Sequence, residues 1–166
     1  MRSSGRAARG FSTVTALFLL VVLSALGAFL LTVSSTQQTS SALDVESARA
    51  YQAARAGIEW AAWQVLDPNN TLGSALPSCP ASPTNLSGLA GTLSSFTVTV
   101  TCAESTTTEA NRNVRVYRIT ATACNQPAAG ACPNSSPTSF YVERQIEATL
   151  SKCRDPSAAA PRFACR

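Results

Sequence analysis

Hydrophobic positions are distributed unevenly along this chain. From Phe11 to Val33 the sequence FSTVTALFLLVVLSALGAFLLTV holds 23 residues without a charge. Wound as a helix, such a run spans ~35 Å, enough to cross the apolar layer of a bilayer. Its Ser12, Thr13, Thr15, Ser24 and Thr32 are compatible with that environment, because helical hydroxyls can bond back to the preceding turn. Ser34 to Ser41 is polar but contains neither Gly nor Pro. Ser41 to Leu66 is rich in alanine, the best helix former, and Ala54, Ile58, Ala61 and Val65 recur at helical spacing on one face. Asp67-Pro68-Asn69-Asn70 then stops the pattern. One helix is predicted from Phe11 to Leu66, apolar all round in its first half and amphipathic in its second. At the helical rise it is ~84 Å long, so its second half needs a surface outside the bilayer to bury against.

Beyond Pro68 the period changes. Asn69 to Gly91 reads as a long connection, with Pro77, Pro80 and Pro83 excluding regular structure. Three strands are predicted after it. The first, Ser94–Cys102, alternates Phe96, Val98, Val100 and Cys102 against threonines. The second, Asn113–Ala123, loses its apolar parity between Val116 and Tyr117, which predicts a bulge. The third, Phe140–Leu150, alternates Phe140, Val142, Ile146, Ala148 and Leu150. With no helical crossover between them the strands are antiparallel. The fold class is α+β: a long N-terminal helix packed on a small antiparallel β-sheet.

Charge sharpens the picture. The chain has 166 residues, 13 basic and 9 acidic, for a net charge of +4. Arg2, Arg6 and Arg9 precede the apolar run and supply most of that excess. By the positive-inside bias they stay cytoplasmic and the remainder lies outside. Ala25-Leu26-Gly27 is a passable signal-peptide cleavage site, but the apolar run continues past it through Phe29-Leu30-Leu31 and exceeds a signal-peptide core. Arg112, Arg115 and Arg118 sit in strand-like sequence without interleaved aromatics, too sparse a footprint for nucleic acid.

Candidate chemistry is thin. There is no histidine, which removes the commonest general base and the commonest metal ligand. Glu143 and Glu147 share the polar face of one strand and read as solvated rather than as an acid–base pair. Arg55 and Glu59, four apart on the helix, form a weak surface pair. Neither a phosphate loop nor a nucleophile elbow is present. No catalytic residue, metal site or cofactor is expected. The six cysteines, Cys79, Cys102, Cys124, Cys132, Cys153 and Cys165, all follow the apolar run. An even set in an exported region reads as a disulfide framework with fifteen possible connectivities. Neighbour pairing, Cys79–Cys102, Cys124–Cys132 and Cys153–Cys165, is the simplest of these. A zinc or redox reading lacks any Cys-x-x-Cys spacing. Trp60 and Trp63, three apart, share a helix face that either joins the helix–sheet core or meets a partner, and Gly57 permits close approach of the sheet or of another helix.

Arg9-Gly10-Phe11-Ser12, followed at once by an uncharged helix, resembles the leader of type IV prepilins. Arg49-Ala-Tyr-Gln-Ala-Ala-Arg-Ala-Gly-Ile-Glu-Trp60 narrows this to the minor pilins of the MshP type, of the mannose-sensitive haemagglutinin (MSHA) class of type IV pili. Gly91–Cys102, Tyr117–Ala123 and Tyr141–Gln145 are also similar to that family. The resemblance implies a leader over residues 1–10, cleavage after Gly10 by a prepilin peptidase and methylation of the new N-terminal Phe11. It implies a membrane-spanning part over 11–33, an extracytoplasmic part of the helix over 34–66, a pilin-like head over 67–152 and a disulfide-tied tail over 153–166. The implied place is the bacterial inner membrane, single-pass, with a periplasmic head, and then the pilus or cell surface. The implied partners are other major and minor pilins. Where major pilins carry a glutamate at the fifth mature position, this chain has Thr15. That glutamate neutralises a neighbour's N-terminal ammonium in the apolar filament core, so a chain with threonine fits the tip or the start of a filament better than its shaft. The expected function is therefore a minor pilin in MSHA-type pilus assembly. A minor pseudopilin of a type II secretion system and a single-pass periplasmic binding protein or adhesin are the alternatives.

Overall fold

The computed structural model describes residues 13–69, 71–160, 163 and 165. Along the chain the elements are a helix α1 (Thr13–Leu66), strands β1 (Thr84–Leu86), β2 (Thr97–Glu109), β3 (Arg112–Cys124) and β4 (Glu143–Arg154), and a 3-10 turn at Gly91–Leu93 before β2. The four strands form one antiparallel sheet in the order β1-β2-β3-β4. The architecture is α+β, a long helix and a small antiparallel sheet. Two compact units divide the chain, residues 1–42 and residues 43–166.

In the first unit the described part is helix. Its side chains are turned outward: Val14, Leu17, Phe18, Leu20, Val21, Leu23, Phe29, Leu30 and Leu31 are each more than 60% exposed. The hydroxyls bond back along the helix, Ser24 to the Val21 carbonyl at 2.9 Å and Thr32 to that of Ala28 at 2.7 Å. The polar stretch stays helical by the same device, with Ser35 and Thr36 donating to Thr32 and Thr39 to Ser35.

In the second unit the helix buries Ala50, Ala53, Ala54, Gly57, Ala61 and Val65. This face is almost entirely small residues, so the bulk of the core comes from the sheet: Phe96, Val98, Val100, Tyr117 and Ile119 are at most 1% exposed. Each such apolar side chain contributes roughly 1.5–3 kcal/mol when withdrawn from water. The helix comes so near that a Cβ on Gly57 would lie 2.7 Å from Val98 Cγ1 and 3.2 Å from Ala121 Cβ. Gly57 thus permits close approach of the sheet, not of a second helix.

Three expectations need correction. The connection read as irregular contains β1, whose Thr84, Asn85 and Leu86 pair with Val100, Thr99 and Val98 just past Pro83. Proline excludes a ladder donor only at its own position, and the strand starts one residue later. The bulge expected at Val116–Tyr117 is absent, because the β2–β3 register runs unbroken from Thr97↔Cys124 to Glu109↔Arg112. The parity changes because the inner face itself changes: on the Arg115 side of Tyr117 it meets the Leu76 and Pro77 carbonyls, and Arg115 stands there in place of an aliphatic residue. The last strand begins at Glu143 rather than Phe140 and runs on to Arg154, while Phe140 is 67% exposed with φ at +62°.

The β2–β3 hairpin closes through Ala110 and Asn111, with φ at +48° and +64°. Two consecutive positive φ values match the twist of the flanking strands, which is why each runs to thirteen residues here.

Candidate functional site

The apolar stretch of α1 is the first candidate surface. Its most apolar 18-residue window has a mean hydropathy of 2.7 with none of it buried, and the helix is long and apolar enough to cross a membrane. Thr15 lies in the first described turn and is half-buried. The processing residues Gly10 and Phe11 lie outside the described residues, as does the basic leader.

All six cysteines are paired, as Cys79–Cys102, Cys124–Cys132 and Cys153–Cys165, which are the neighbour pairs. Each bond has a different job, set by strand parity. Cys102 falls on the helix side of β2 and pins the 67–83 connection across the inner face. Cys124 falls on the opposite side, so its bond draws the loop around Cys132 over the outer face. There the Cys132 N–H donates to Thr99 Oγ1 at 2.7 Å and Thr99 donates to Asn85 Oδ1 at 2.7 Å. Thr97, Thr99 and Thr122 are thereby buried although their alternation predicts solvent, and the bonds of Thr99 offset the desolvation of its hydroxyl. Cys153 ties the tail to the end of β4.

A polar cluster lies where the helix ends. Asp67 closes α1 in the left-handed region, with φ at +40°, a conformation Asp tolerates better than most residues. Its carboxylate accepts from the Thr71 N–H at 2.9 Å, the Thr71 hydroxyl at 2.8 Å and the Leu72 N–H at 3.3 Å. Arg154 from β4 pairs with it at 3.2 Å, and Lys152 donates to its backbone carbonyl at 3.0 Å. Burial opposes ionisation of Asp67, but the Thr71 and Leu72 hydrogen bonds and the Lys152 charge together hold its carboxyl below the ordinary value. Burial and the neighbouring Arg154 push the Lys152 ammonium down, against the attraction of Asp67.

A second cluster sits one strand inward. Arg115 donates to the Pro77 carbonyl at 2.8 Å and pairs with Glu104 at 3.3 Å, while Glu104 accepts from the Cys79 N–H at 2.6 Å. Tyr117, fully buried, donates to the same Pro77 carbonyl at 2.6 Å. Burial raises its phenol above the ordinary value, with Arg115 opposing. The contacts of both clusters hold the connection down. Sequence patterning missed both, because their members lie on four separate segments and only Asp67 carried a local signal.

The two tryptophans separate. Trp60 packs against the edge of the core, whereas Trp63 is 58% exposed and borders a cleft of about 320 Å³ with Leu72, Pro77 and Pro80. Gly57, buried against the sheet, offers nothing to a partner. Glu147 pairs with Arg118 at 3.4 Å and Glu143 accepts from the Tyr141 hydroxyl, so the two carboxylates serve separate contacts. Arg55 and Glu59 form their expected surface pair at 2.9 Å. Among the described residues no group of three or more His, Cys, Asp or Glu side chains is placed to hold a metal ion.

Comparison with protein-family models, with curated proteins and with solved structures gives no significant match to this chain.

Proposed function

We propose that this protein is a minor pilin of an MSHA-type type IV pilus, processed between Gly10 and Phe11 and acting in filament assembly at the tip or in initiation. The observation that carries this reading is α1 itself. One helix combines an uncovered apolar stretch with an alanine-faced stretch that is packed under a sheet. The first is suited to a bilayer before assembly and to the apolar helices of other pilins after it. The second holds a disulfide-braced head outside the membrane. The role is structural, and the polar clusters of the head hold its connection in place. Thr15 in place of an acidic residue leaves no carboxylate for a neighbour's ammonium, which favours the end of a filament over its shaft.

The test is the mass of the chain recovered from membranes of cells that express a prepilin peptidase. The expected product begins at Phe11 and carries one methyl group, and Gly10→Val retains the leader. A wild-type chain that keeps residues 1–10, or one cut after Gly27, overturns the reading. Peptidase processing with labelled protein confined to secretion complexes instead of pili assigns it to a type II pseudopilus.

A further inference from the structure

The outer edge of β4 is open. The side to which its backbone groups point follows from two contacts. The Cys102 N–H donates to Ser82 Oγ on the β1 side, so even-numbered residues of β2 face β1 and odd-numbered ones face β3. At the far end of the hairpin the Asn125 N–H donates to the Val142 carbonyl, so odd-numbered residues of β3 face β4. The two agree through the register, and they leave Gln145, Glu147, Thr149 and Ser151 of β4 with their N–H and C=O groups directed away from the sheet. All four residues are exposed, and among the described residues no other segment bonds to these groups.

On the inner face the same edge carries a row of Ile146, Ala148 and Leu150, paired with Ala121, Ile119 and Tyr117. The β3 members of these pairs are fully buried, but the β4 members are only half-covered. The row is flanked by Arg144 and Lys152, and neither has a carboxylate within ion-pair distance among the described residues. Arg144 bonds only to the Ser47 hydroxyl and Lys152 to a backbone carbonyl.

We propose that the β4 edge accepts an extended segment of another protein as a fifth strand. That segment carries apolar side chains opposite Ile146, Ala148 and Leu150 and a carboxylate opposite both Arg144 and Lys152. Main-chain bonds supply the affinity and alternate side chains the selectivity. The charges argue against a second copy of this chain. Pairing Ile146 with Leu150 across a two-fold at Ala148 sets Arg144 opposite Lys152, and like charges directly opposite are destabilising. This inference goes beyond the filament role and does not depend on processing at Gly10.

The test uses the full chain in detergent micelles and the peptide Asp-Thr-Val-Thr-Val-Thr-Val-Thr-Asp, which reads alike in both directions and matches residues 144–152 in length. The expected result is binding at least tenfold tighter than that of the same peptide with lysine ends, with slowed amide exchange at Gln145, Glu147, Thr149 and Ser151. Thr149→Pro, which removes one outward N–H and no internal bond, should weaken binding at least tenfold. Arg144→Glu should cancel the preference for the acidic peptide, because one repulsive end then offsets one attractive end, which keeps the test decisive if the proline variant misfolds. Absence of binding, equal affinity of the wild-type chain for both peptides, protection confined to other segments, or sedimentation of the unliganded chain as a dimer joined through β4 overturns the proposal.

Discussion

Arg154, the final residue of β4, meets Asp67, the residue that ends α1, at 3.2 Å between Nη2 and Oδ2, with side chains 1% and 7% exposed. This pair joins the two ends of the head's packing. Removing one member leaves the other charge buried without its counterpart, which typically destabilises by about 3–5 kcal/mol. Asp67→Asn should therefore lower the denaturation midpoint of the full chain in micelles by that order, and Asp67→Asn with Arg154→Met should recover part of the loss.

The same carboxyl has a pH signature. Its folded pKa lies below the unfolded value, so its stabilisation is complete above ~3.9, the unfolded value, and disappears as pH falls through the folded one. Below pH 4 the wild-type chain should lose stability more steeply than Asp67→Asn. Parallel acid-unfolding curves for the two would contradict this.

Gly57→Ala should destabilise the head although alanine is the better helix former. Its Cβ would meet Val98 Cγ1 at 2.7 Å, and overpacking of this kind costs about 1–3 kcal/mol against roughly 1 kcal/mol of propensity gained. Val98→Ala in the same chain should relieve the clash, so that the double variant melts above the sum of the single effects.

Tyr117→Phe deletes one bond to the Pro77 carbonyl and leaves Arg115 as its remaining donor. The expected loss is about 1 kcal/mol, with amide exchange accelerated in residues 76–80 and unchanged at the Asp67 cluster.

On the proposed minor-pilin role, Thr15→Glu should place the protein along the filament shaft as well as at its ends. Labelled microscopy of pili checks this, and labelling that stays at the ends after the substitution removes Thr15 as the cause.

The parts of the fold that were legible in the sequence are those set by local period. Helix α1 followed from an unbroken helical pattern and from Asp67-Pro68, and its described span, Thr13–Leu66, ends at the residue expected. Alternation at Phe96, Val98 and Val100 located the buried face of β2. What escaped depended on distant partners. The long β2–β3 hairpin turns through Ala110-Asn111, which lacks the glycine that usually marks such a turn. Thr97 and Thr99 read as solvent-facing because nothing local reveals that a loop over thirty residues away would cover them. Trp60 and Trp63 are three apart, yet the covered arc of the helix is so narrow that it takes in one and leaves the other in water. Of the candidate site residues, the cysteines needed only compartment and count, whereas the β4 edge required the register.

The run of small residues on the buried face of α1 has a mechanical consequence. Ala50, Ala53, Ala54, Gly57 and Ala61 have no long side chains that could tilt or slide, so the helix backbone rests almost directly on the valines and alanines of β2 and β3. A load applied along residues 43–66 is therefore passed into the sheet over a short lever arm and is met at the helix end by Asp67 and Arg154. Within residues 43–166 this packing opposes sliding of the helix along the sheet.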